Sequence, residues 1–353
     1  MFIRVIKNCL IWVKHRIQLN FAVLLFLLTW AFCLSFNIIK SPELSAYYSN
    51  NLSNFPFLTF QSNTYSPEFN LNSDSVVIPL KRAGRLFLIE AKIDDQIGNL
   101  VFDTGANGLV LNNTYFRNYT KSAGGISNGI TGNVGPVEQI AIGKIEFSGI
   151  SYKNLKADLV NLGHIENHRG VKILGLIGFS MMRNLEIIID PQNSELKLIR
   201  IDKRGERVNH IASEFKTDFI QKIEGNTNIV FIRGRIAGKS LNFCFDTAAE
   251  TNAISSDSNK SILNTLTIMR RSILKGAGSA RSEVLFGRMN DFKIGEKEIS
   301  QMETIITNLD ALSDVYGTRT DGMLGYNFLQ QGTFCINFVK KQFGIRFSKK
   351  EEI

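Results

Sequence analysis

The sequence is poor in cysteine, histidine, proline and tryptophan, and these shortages exclude several kinds of protein. Its 353 residues include 4 cysteines, 4 histidines, 6 prolines and 2 tryptophans. Cys9 and Cys33 lie in or before an N-terminal apolar run, so only Cys244 and Cys335 remain for the rest of the chain. Two cysteines are too few for a disulfide framework, and the alternatives are one Cys244–Cys335 bridge or two buried thiols.

Motifs for nucleotides and metals are absent or weak. The sequence contains no Walker, dinucleotide-binding or Ser-His-Asp pattern, so nothing predicts a nucleotide cofactor or a serine hydrolase. His164 and His168 have the i,i+4 spacing of some metal sites, but no cluster of acidic or thiol residues joins them. We therefore expect two surface histidines, and we predict no metal and no cofactor.

The excess of positive charge does not indicate nucleic-acid binding. The chain has 41 basic and 32 acidic residues, which gives a net charge of +9. Residues 1–40 contain five basic residues and no acidic residue, so more than half of the excess belongs to that short segment. Nucleic-acid binding needs a clustered basic face. We predict no nucleic-acid partner.

An uninterrupted apolar run follows the basic N-terminal residues. No charged residue lies between Arg16 and Lys40, and this stretch includes the segment 21–36, FAVLLFLLTWAFCLSF. A helix that crosses a bilayer needs about 20 such residues, so the run predicts a transmembrane helix. The basic residues before it predict a cytoplasmic N-terminus and a main domain outside the cytoplasm, periplasmic or extracellular. The alternative is a cleaved signal peptide and a secreted protein.

Beyond the apolar run, the sequence is typical of a mainly β protein. Residues 41–75 are rich in Ser, Asn and Tyr and are interpreted as a stem or linker. Short runs of β-favouring residues then follow, divided by Gly, Asn and Asp turns, with no long amphipathic helix between them. We divide the chain into a leader and membrane anchor at 1–40, this stem, a first lobe at 76–202 and a second lobe at 203–353.

The main signal is an internal repeat. Asp103-Thr-Gly-Ala recurs 143 residues later as Asp246-Thr-Ala-Ala, and three mainly apolar residues precede each aspartate. A Gly-Leu-Ile-Gly motif that ends at Gly178 recurs 147 residues later as Gly-Met-Leu-Gly, which ends at Gly325. Features repeated in one order at a nearly constant spacing indicate a tandem duplication. We predict two copies of a small β-barrel-like lobe.

A glycine-rich segment lies between the two motifs in each copy and precedes a matching pair of strands. The repetition of these segments at the same place in each copy adds to the evidence for duplication. Their residues include Gly125, Ile126, Gly129, Gly276 and Gly278.

The same alignment bears on the two remaining cysteines. It sets Cys244 opposite Val101 and Cys335 opposite Ile188. Both counterparts are apolar strand residues, and a buried free cysteine behaves as a small hydrophobic residue. Two buried thiols are therefore favoured over a disulfide.

Two carboxyl groups held close together can hydrolyse a peptide bond. Like charges at short distance cannot both ionise readily, so one carboxyl group keeps its proton while the other acts as a base. The base takes a proton from a water molecule, and the acid polarises the carbonyl oxygen. Asp103 and Asp246 each follow an apolar strand and precede a hydroxyl residue and a small residue, which suits a rigid site on a tight turn.

These motifs resemble those of the aspartic peptidases of the pepsin and retroviral (retropepsin-like) superfamily. The resemblance covers about residues 80–200 and 225–348, and the short lobes are more similar to bacterial retropepsin-like proteins than to the larger pepsins. It implies a two-lobed acid-protease-like fold and an aspartic endopeptidase that acts on peptide or protein substrates. Because one chain supplies both aspartates, dimerisation would not be required for catalysis.

The resemblance also implies roles for the repeated residues. Asp103 and Asp246 would form the catalytic dyad. The threonines would interlock beneath the dyad, and the two Gly motifs would lie under the catalytic loops. The supporting residues would be Thr104, Gly105, Thr247, Ala248, Gly178 and Gly325. The glycine-rich segments near residues 124–132 and 275–279 would be flap-like hairpins over the substrate cleft.

The second copy departs from the family pattern at one position. Ala248 stands where the family, and the first copy at Gly105, have glycine. If this position required a positive φ, alanine would cost about 1 kcal/mol or more and could displace Asp246. At a negative φ the methyl group would be harmless. The alternative function is therefore a catalytically inactive protein that binds peptides on the same scaffold, and a structural envelope protein is a third.

Overall fold

The computed structural model describes residues 65–69, 73–129, 132–209, 215–225, 229–275 and 281–349. The chain divides into two compact units, residues 1–63 and 64–353, and all of the described residues belong to the second. The predicted membrane helix lies outside the described residues, as does most of the predicted stem. No helix among the residues that the structure describes is long and apolar enough to cross a bilayer.

The described chain is mainly β, as the sequence predicts. The strands of its first half are β1 Glu68–Phe69, β2 Ser75–Pro79, β3 Lys81–Ala83, β4 Leu86–Ile93, β5 Gln96–Phe102, β6 Leu109–Asn112, β7 Lys121–Gly129, β8 Gly132–Phe147, β9 Ile150–Val160, β10 Ile173–Ile177, β11 Leu185–Asp190 and β12 Glu195–Arg200. The strands of its second half are β13 Phe219–Lys222, β14 Phe231–Ile236, β15 Lys239–Phe245, β16 Asn252–Ser255, β17 Leu266–Lys275, β18 Arg281–Met289, β19 Phe292–Ile294, β20 Lys297–Ile299, β21 Met302–Thr307, β22 Gly322–Leu324, β23 Gly332–Asn337 and β24 Gln342–Phe347.

The helices are short. They are α1 Asn113–Phe116, α2 Gly163–Arg169, α3 Lys260–Leu263, α4 Asp310–Tyr316 and α5 Tyr326–Leu329, with one turn of 3-10 helix at Phe179–Met182. Their length agrees with the absence of a long amphipathic pattern in the sequence, since a helix of one or two turns depends on packing for its stability.

Strand β4 illustrates why these sequences form strands. Successive side chains in a strand point to opposite faces of the sheet. In the second half of β4, Ala91 and Ile93 are buried whereas Glu90 and Lys92 are exposed. The alternation of apolar and charged residues therefore fixes which face of the strand meets the core.

The first nine-stranded sheet forms a closed, barrel-like layer. Its strand order is β1-β9-β6-β10-β5-β4-β8-β7, with β3 paired to β4. Strand β8 also pairs with β9, which joins the two sides of the sheet. Closure removes the unpaired edges that an open sheet presents.

The second nine-stranded sheet repeats the arrangement of the first. Its order is β17-β18-β21-β16-β22-β15-β14-β19-β20, in which β21-β16-β22-β15-β14 corresponds to β9-β6-β10-β5-β4. The directions match as well, because β22 runs parallel to β15 as β10 does to β5, and β16 runs parallel to β21 as β6 does to β9. The shared strand order is the structural counterpart of the sequence repeat.

A six-stranded sheet connects the two halves. Its order is β13-β24-β23-β11-β12-β2, so each half contributes three strands. The halves meet at the antiparallel pair β11–β23, where Ile187 lies opposite Ile336. This sheet holds the two barrel-like sheets in one body. The boundaries that the sequence analysis drew between stem and lobes stay predictions.

Phenylalanines fill the core beneath the second half. The rings of Phe245, Phe328, Phe334 and Phe343 contact one another, with centroids 5.1–6.3 Å apart. Edge-on and tilted ring pairs at such distances are favourable beyond the burial of their surface. Phe245 directly precedes Asp246 in the sequence, so this packing holds the end of β15 firmly in place.

Candidate active site

Each Asp-Thr turn begins where a buried strand ends. Asp103 follows β5, and its backbone N–H donates to the Ile177 carbonyl of the parallel strand β10 at 3.0 Å. Asp246 follows β15, and its N–H donates to the Leu324 carbonyl of β22, also at 3.0 Å. Equivalent strand pairs therefore deliver the two aspartates.

The two turns interlock through their threonines. Thr104 Oγ1 donates to the Phe245 carbonyl at 2.9 Å and accepts from the Thr247 N–H at 2.8 Å. Thr247 Oγ1 donates to the Phe102 carbonyl at 2.7 Å and accepts from the Thr104 N–H at 3.1 Å. Both threonines are fully buried. The hydroxyl groups therefore satisfy four backbone groups that would otherwise lie unpaired in the core.

The interlock brings the two carboxyl groups into hydrogen-bond contact with each other. Each also accepts from its own turn, because the Gly105 N–H donates to Asp103 Oδ1 and the Ala248 N–H donates to Asp246 Oδ1, both at 2.8 Å. Asp246 is 9% exposed and Asp103 is half-buried. Two carboxyl groups so placed can share one proton.

Burial raises the pKa of both carboxyl groups. At Asp103 the loss of solvation is the largest cause, and the negative charge of Asp246 raises the pKa further, to well above its ordinary value. At Asp246 the loss of solvation also raises the pKa, but backbone N–H groups and the hydrogen bond from Asp103 oppose it. The two carboxyl groups therefore titrate as a coupled pair that can hold one proton between them.

Gly178 and Gly325 pack directly against the two turns. A Cβ atom at Gly178 would lie 2.2 Å from the Ala106 carbonyl oxygen, and one at Gly325 would lie 2.3 Å from the Ala249 carbonyl oxygen. Glycine is required at both positions because the backbone segments approach closely, and neither position has a positive φ. The Gly motifs thus lie next to the turns, where the resemblance implies them.

The substitution of alanine for glycine in the second turn causes no backbone strain. Ala248 is not among the described residues with a positive φ. Of the two cases considered for this position, the one in which the methyl group is harmless is therefore the one observed. The methyl group packs against an apolar cluster of the first half that includes Val101 and Ile173. At the equivalent position of the first turn, a Cβ atom on Gly105 would lie 2.7 Å from Asp246 Oδ2.

The predicted hairpins are present. Strands β7 and β8 pair from Lys121–Ile140 to Gly129–Gly132, and β17 and β18 pair from Leu266–Met289 to Lys275–Arg281. Gly125, Ile126 and Gly129 belong to β7, whereas Gly276 and Gly278 lie outside the described residues. The role of these hairpins as flaps stays a prediction.

Cross-contacts between the two halves were not predicted from the sequence. The Arg85 guanidinium donates to the Glu250 carbonyl at 3.0 Å and pairs with the Glu303 carboxylate at 2.7 Å. Arg169, the last residue of α2, forms an ion pair with the Glu250 carboxylate. Tyr316, the last residue of α4, donates its hydroxyl proton to the Gly105 carbonyl at 3.2 Å. The offset of 147 residues pairs Arg169 with Tyr316, which is the one signal that could have indicated these contacts.

The cysteines and histidines lie largely where the sequence analysis predicts. Both Cys244 and Cys335 are free, so the thiol alternative is confirmed, but only Cys244 is buried and Cys335 is half-buried. His164 and His168 lie on α2 with exposed side chains, as expected. Within the described ranges, no group of three or more His, Cys, Asp or Glu residues could hold a metal ion.

Comparison with known proteins bears on the second half of the chain. Residues 232–328 match a family described as aspartyl protease, and a search of curated proteins found no match. The matched residues run from β14 through α5 and include Asp246, Thr247 and Gly325. This part of the chain, which supplies one of the two aspartates, is therefore similar to the aspartyl protease family.

Proposed function

We propose that the protein is an aspartic endopeptidase that hydrolyses peptide bonds with a water molecule activated by Asp103 and Asp246. The observation that carries this proposal is the hydrogen-bond contact between the carboxyl groups of Asp103 and Asp246, whose pKa values are both raised by lost solvation. A pair of acids with a purely structural role would only lower the stability of the fold, since burying carboxyl groups next to each other is unfavourable. Such pairs cluster at functional sites.

In the first chemical step one acid of the pair is protonated and the other is a carboxylate, and we assign the proton to Asp103. Asp246, as the carboxylate, takes a proton from the attacking water, whose oxygen forms a bond to the carbonyl carbon of the substrate. Asp103 gives its proton to the carbonyl oxygen, so a neutral tetrahedral diol forms. The proton has then moved from Asp103 to the substrate, and Asp246 holds the proton of the water.

The second step breaks the peptide bond. Asp246 gives its proton to the amide nitrogen, while Asp103 takes back a proton from one hydroxyl group of the diol. The carbon–nitrogen bond then breaks, and a carboxylic acid and an amine leave the site. The dyad returns to its starting state with one proton on Asp103, so no cofactor is consumed.

Inhibition by a statine-type peptide tests this function. The hydroxyl group of statine imitates the tetrahedral diol, and transition-state analogues bind about 10² to 10⁸ times more tightly than substrates. We expect the protein to cleave a mixed peptide library and to lose this activity with the statine peptide. A peptide of the same sequence without the statine hydroxyl is the control. Cleavage that persists in saturating statine peptide would contradict the proposal.

The rival function, a catalytically inactive peptide-binding protein, rests on Ala248. The absence of left-handed backbone at this position removes the strain on which that argument depended. The rival predicts saturable binding of peptides without any cleavage products. Measuring binding and cleavage on the same peptide library therefore distinguishes the two functions.

Gly105→Ala and Ala248→Gly should have opposite consequences, although they exchange the same residues at equivalent positions. A methyl group at Gly105 would meet the Asp246 carboxyl group, and a displacement of this kind costs about 100-fold in kcat/KM. Ala248→Gly relieves no strain and loses an apolar contact, so it should lower stability by about 0.5–1 kcal/mol and leave kcat within about three-fold. Steady-state kinetics and thermal unfolding measure both. Equal activity of the two variants would contradict this assignment.

We also propose that residues 1–40 anchor the protein in a membrane, with the peptidase outside the cytoplasm. The support is the charge-free apolar run and the basic residues before it. Protease protection in vesicles of known orientation would test the topology. Mass spectrometry of the mature N-terminus would reveal a cleaved signal peptide instead.

A further inference from the structure

The C-terminal end of helix α4 contacts the catalytic turn of the opposite half. Tyr316, its last residue, donates its hydroxyl proton to the carbonyl of Gly105, two residues after Asp103. The tyrosine ring packs edge-on against Phe231 with a centroid distance of 5.7 Å. The hydroxyl group is therefore held in place by the second half while it binds the first.

The equivalent helix in the first half ends differently. Helices α2 and α4 each have seven residues and each end before a glycine with positive φ, Gly170 at 66° and Gly317 at 60°. The equivalent of Tyr316 is Arg169, which pairs with the side chain of Glu250 and not with the turn backbone. The two helix ends reach across in the same way, but only one of them touches the backbone of an Asp-Thr turn next to a catalytic carboxyl group.

A second departure from the repeat meets Tyr316 at the same place. Tyr316 packs against a buried cluster that contains Cys244 and Phe231, whereas the residue equivalent to Cys244 in the first half is Val101. A buried free cysteine behaves as a small hydrophobic residue. This packing holds the tyrosine ring, and with it the hydroxyl group, in place.

The contacted residue connects Tyr316 to Asp103. The carbonyl of Gly105 accepts from Tyr316 at 3.2 Å, and the N–H of the same residue donates to Asp103 Oδ1 at 2.8 Å and lowers the pKa of this carboxyl group. The Ala106 N–H donates to the Asp103 backbone carbonyl at 3.3 Å and tightens the turn. A donor that holds Gly105 therefore also holds the N–H group that binds Asp103.

We propose that Tyr316, held by its packing against Cys244 and Phe231, is a positioning residue that fixes the Asp103 turn across the two halves and adjusts the acidity of Asp103. This inference rests on the proposed peptidase function for its kinetic consequences, but not for its effect on the Asp103 carboxyl group. The unequal ends of α2 and α4 make the two turns unequal, because a tyrosine hydroxyl from the opposite half holds the Asp103 turn, whereas Arg169 binds a side chain.

The hydroxyl group remains a donor over the whole working pH range. Burial, together with the charges of Cys244, Asp246 and Asp103, raises the pKa of Tyr316 well above its ordinary value. Tyr316 therefore does not titrate with the dyad, and any change of a pH profile in its variants arises from the carboxyl groups.

The test is Tyr316→Phe in the full chain, since phenylalanine keeps the ring contact with Phe231 and removes only the hydroxyl group. We expect kcat to fall about five-fold, the value of one hydrogen bond, with KM within two-fold. The high-pH limb of kcat/KM, which reports the proton on Asp103, should move upward by roughly 0.3 pH unit. Tyr152→Phe is the control, because it removes a buried hydroxyl–carbonyl bond of 2.7 Å to Met181 outside the site.

Cys244→Ala tests the role of this packing. The smaller side chain loosens the ring of Tyr316, so we expect a smaller fall in kcat of about two-fold in the same direction. The two residues act through one hydrogen bond, and the double variant should therefore resemble Tyr316→Phe alone. Full additivity of the two effects on kcat would contradict the coupling.

A titration of ¹³C-labelled aspartate carboxyl groups gives a second measurement that needs no substrate. The Asp103 signal is the one lost in Asp103→Asn, and its pKa should rise in Tyr316→Phe but not in Tyr152→Phe. If Tyr316→Phe loses thermal stability while neither this pKa nor the pH profile moves, Tyr316 is merely structural and the inference is wrong. If the pKa moves but the wild-type protein cleaves no peptide, the inference stands and the proposed function fails.

Discussion

Asp103→Asn and Asp246→Asn should each lower kcat/KM for peptide cleavage by about 1,000-fold, within the range that general acid–base groups contribute. Asparagine has nearly the shape of aspartate but can neither hold the shared proton nor accept one from water. Each variant therefore keeps the geometry of the turn and removes one of the two proton transfers. Steady-state kinetics on one peptide substrate measure both losses.

Asp190→Asn is the matched control for these variants. Asp190 also follows a run of isoleucines, but its carboxyl group accepts from the Asn193 N–H at 3.1 Å within the turn between β11 and β12. We expect its activity to remain within two-fold of the wild type. A residual activity above about 10% in either dyad variant would exclude the mechanism, whatever the control does.

The pH dependence of folding stability shows the titration of Asp103 without any measurement of catalysis. Burial raises the pKa of Asp103 above the value of about 4 that it has in the unfolded chain. Between these two pKa values the native state binds more protons than the unfolded state, so stability is present at low pH and is lost as the pH rises through this window. Asp103→Asn removes this titration. Its unfolding temperature should therefore fall less than that of the wild type as the pH rises above about 4.

The sequence predicts those features of the site that occur in both copies of the repeat. Asp103 and Asp246 each follow a buried strand, and the matching of Gly178 with Gly325 marks the segments that pack under the turns. Local chemistry fixes these features, because a carboxyl group on a tight turn requires the same neighbours in each copy. In a sequence with an internal repeat, the two copies can therefore be compared with each other to find the residues that the site requires.

Contacts that arise from the meeting of the two copies could not be predicted in the same way. The antiparallel pair β11–β23 joins strands almost 150 residues apart, and many apolar strands in the chain could have formed such a pair. Arg169 and Tyr316 occupy equivalent positions yet contact different partners, so the repeat indicates where they lie but not what they bind. The sign of φ at Ala248 could not be predicted either, because alanine as a residue type is compatible with the negative φ that the structure shows and does not exclude a strained positive one.

Thr247→Val should cost about 2–4 kcal/mol of folding stability, the largest loss that we expect from a single methyl-for-hydroxyl exchange in this protein. Valine keeps the branched shape but leaves the Phe102 carbonyl and the Thr104 N–H without their partners. Each unpaired buried group costs about 1–3 kcal/mol. For a protein of this size the unfolding temperature should fall by roughly 5–10 °C, and cleavage should fall with it because the two aspartates are held together by this interlock.

Thr247→Ser and Thr265→Val separate the interlock from a general effect of the exchange. Serine keeps the hydroxyl group, so Thr247→Ser should retain most of the stability and activity. Thr265 donates at 2.8 Å to the Ile262 carbonyl within its own turn, and its replacement by valine should cost about 1 kcal/mol without a change in kcat. Equal losses in Thr247→Val and Thr265→Val, measured by thermal unfolding, would show that the interlock adds nothing beyond an ordinary hydrogen bond. A larger loss of stability in Thr247→Val than in Thr265→Val would show that the threonine pair holds the dyad together across the two halves.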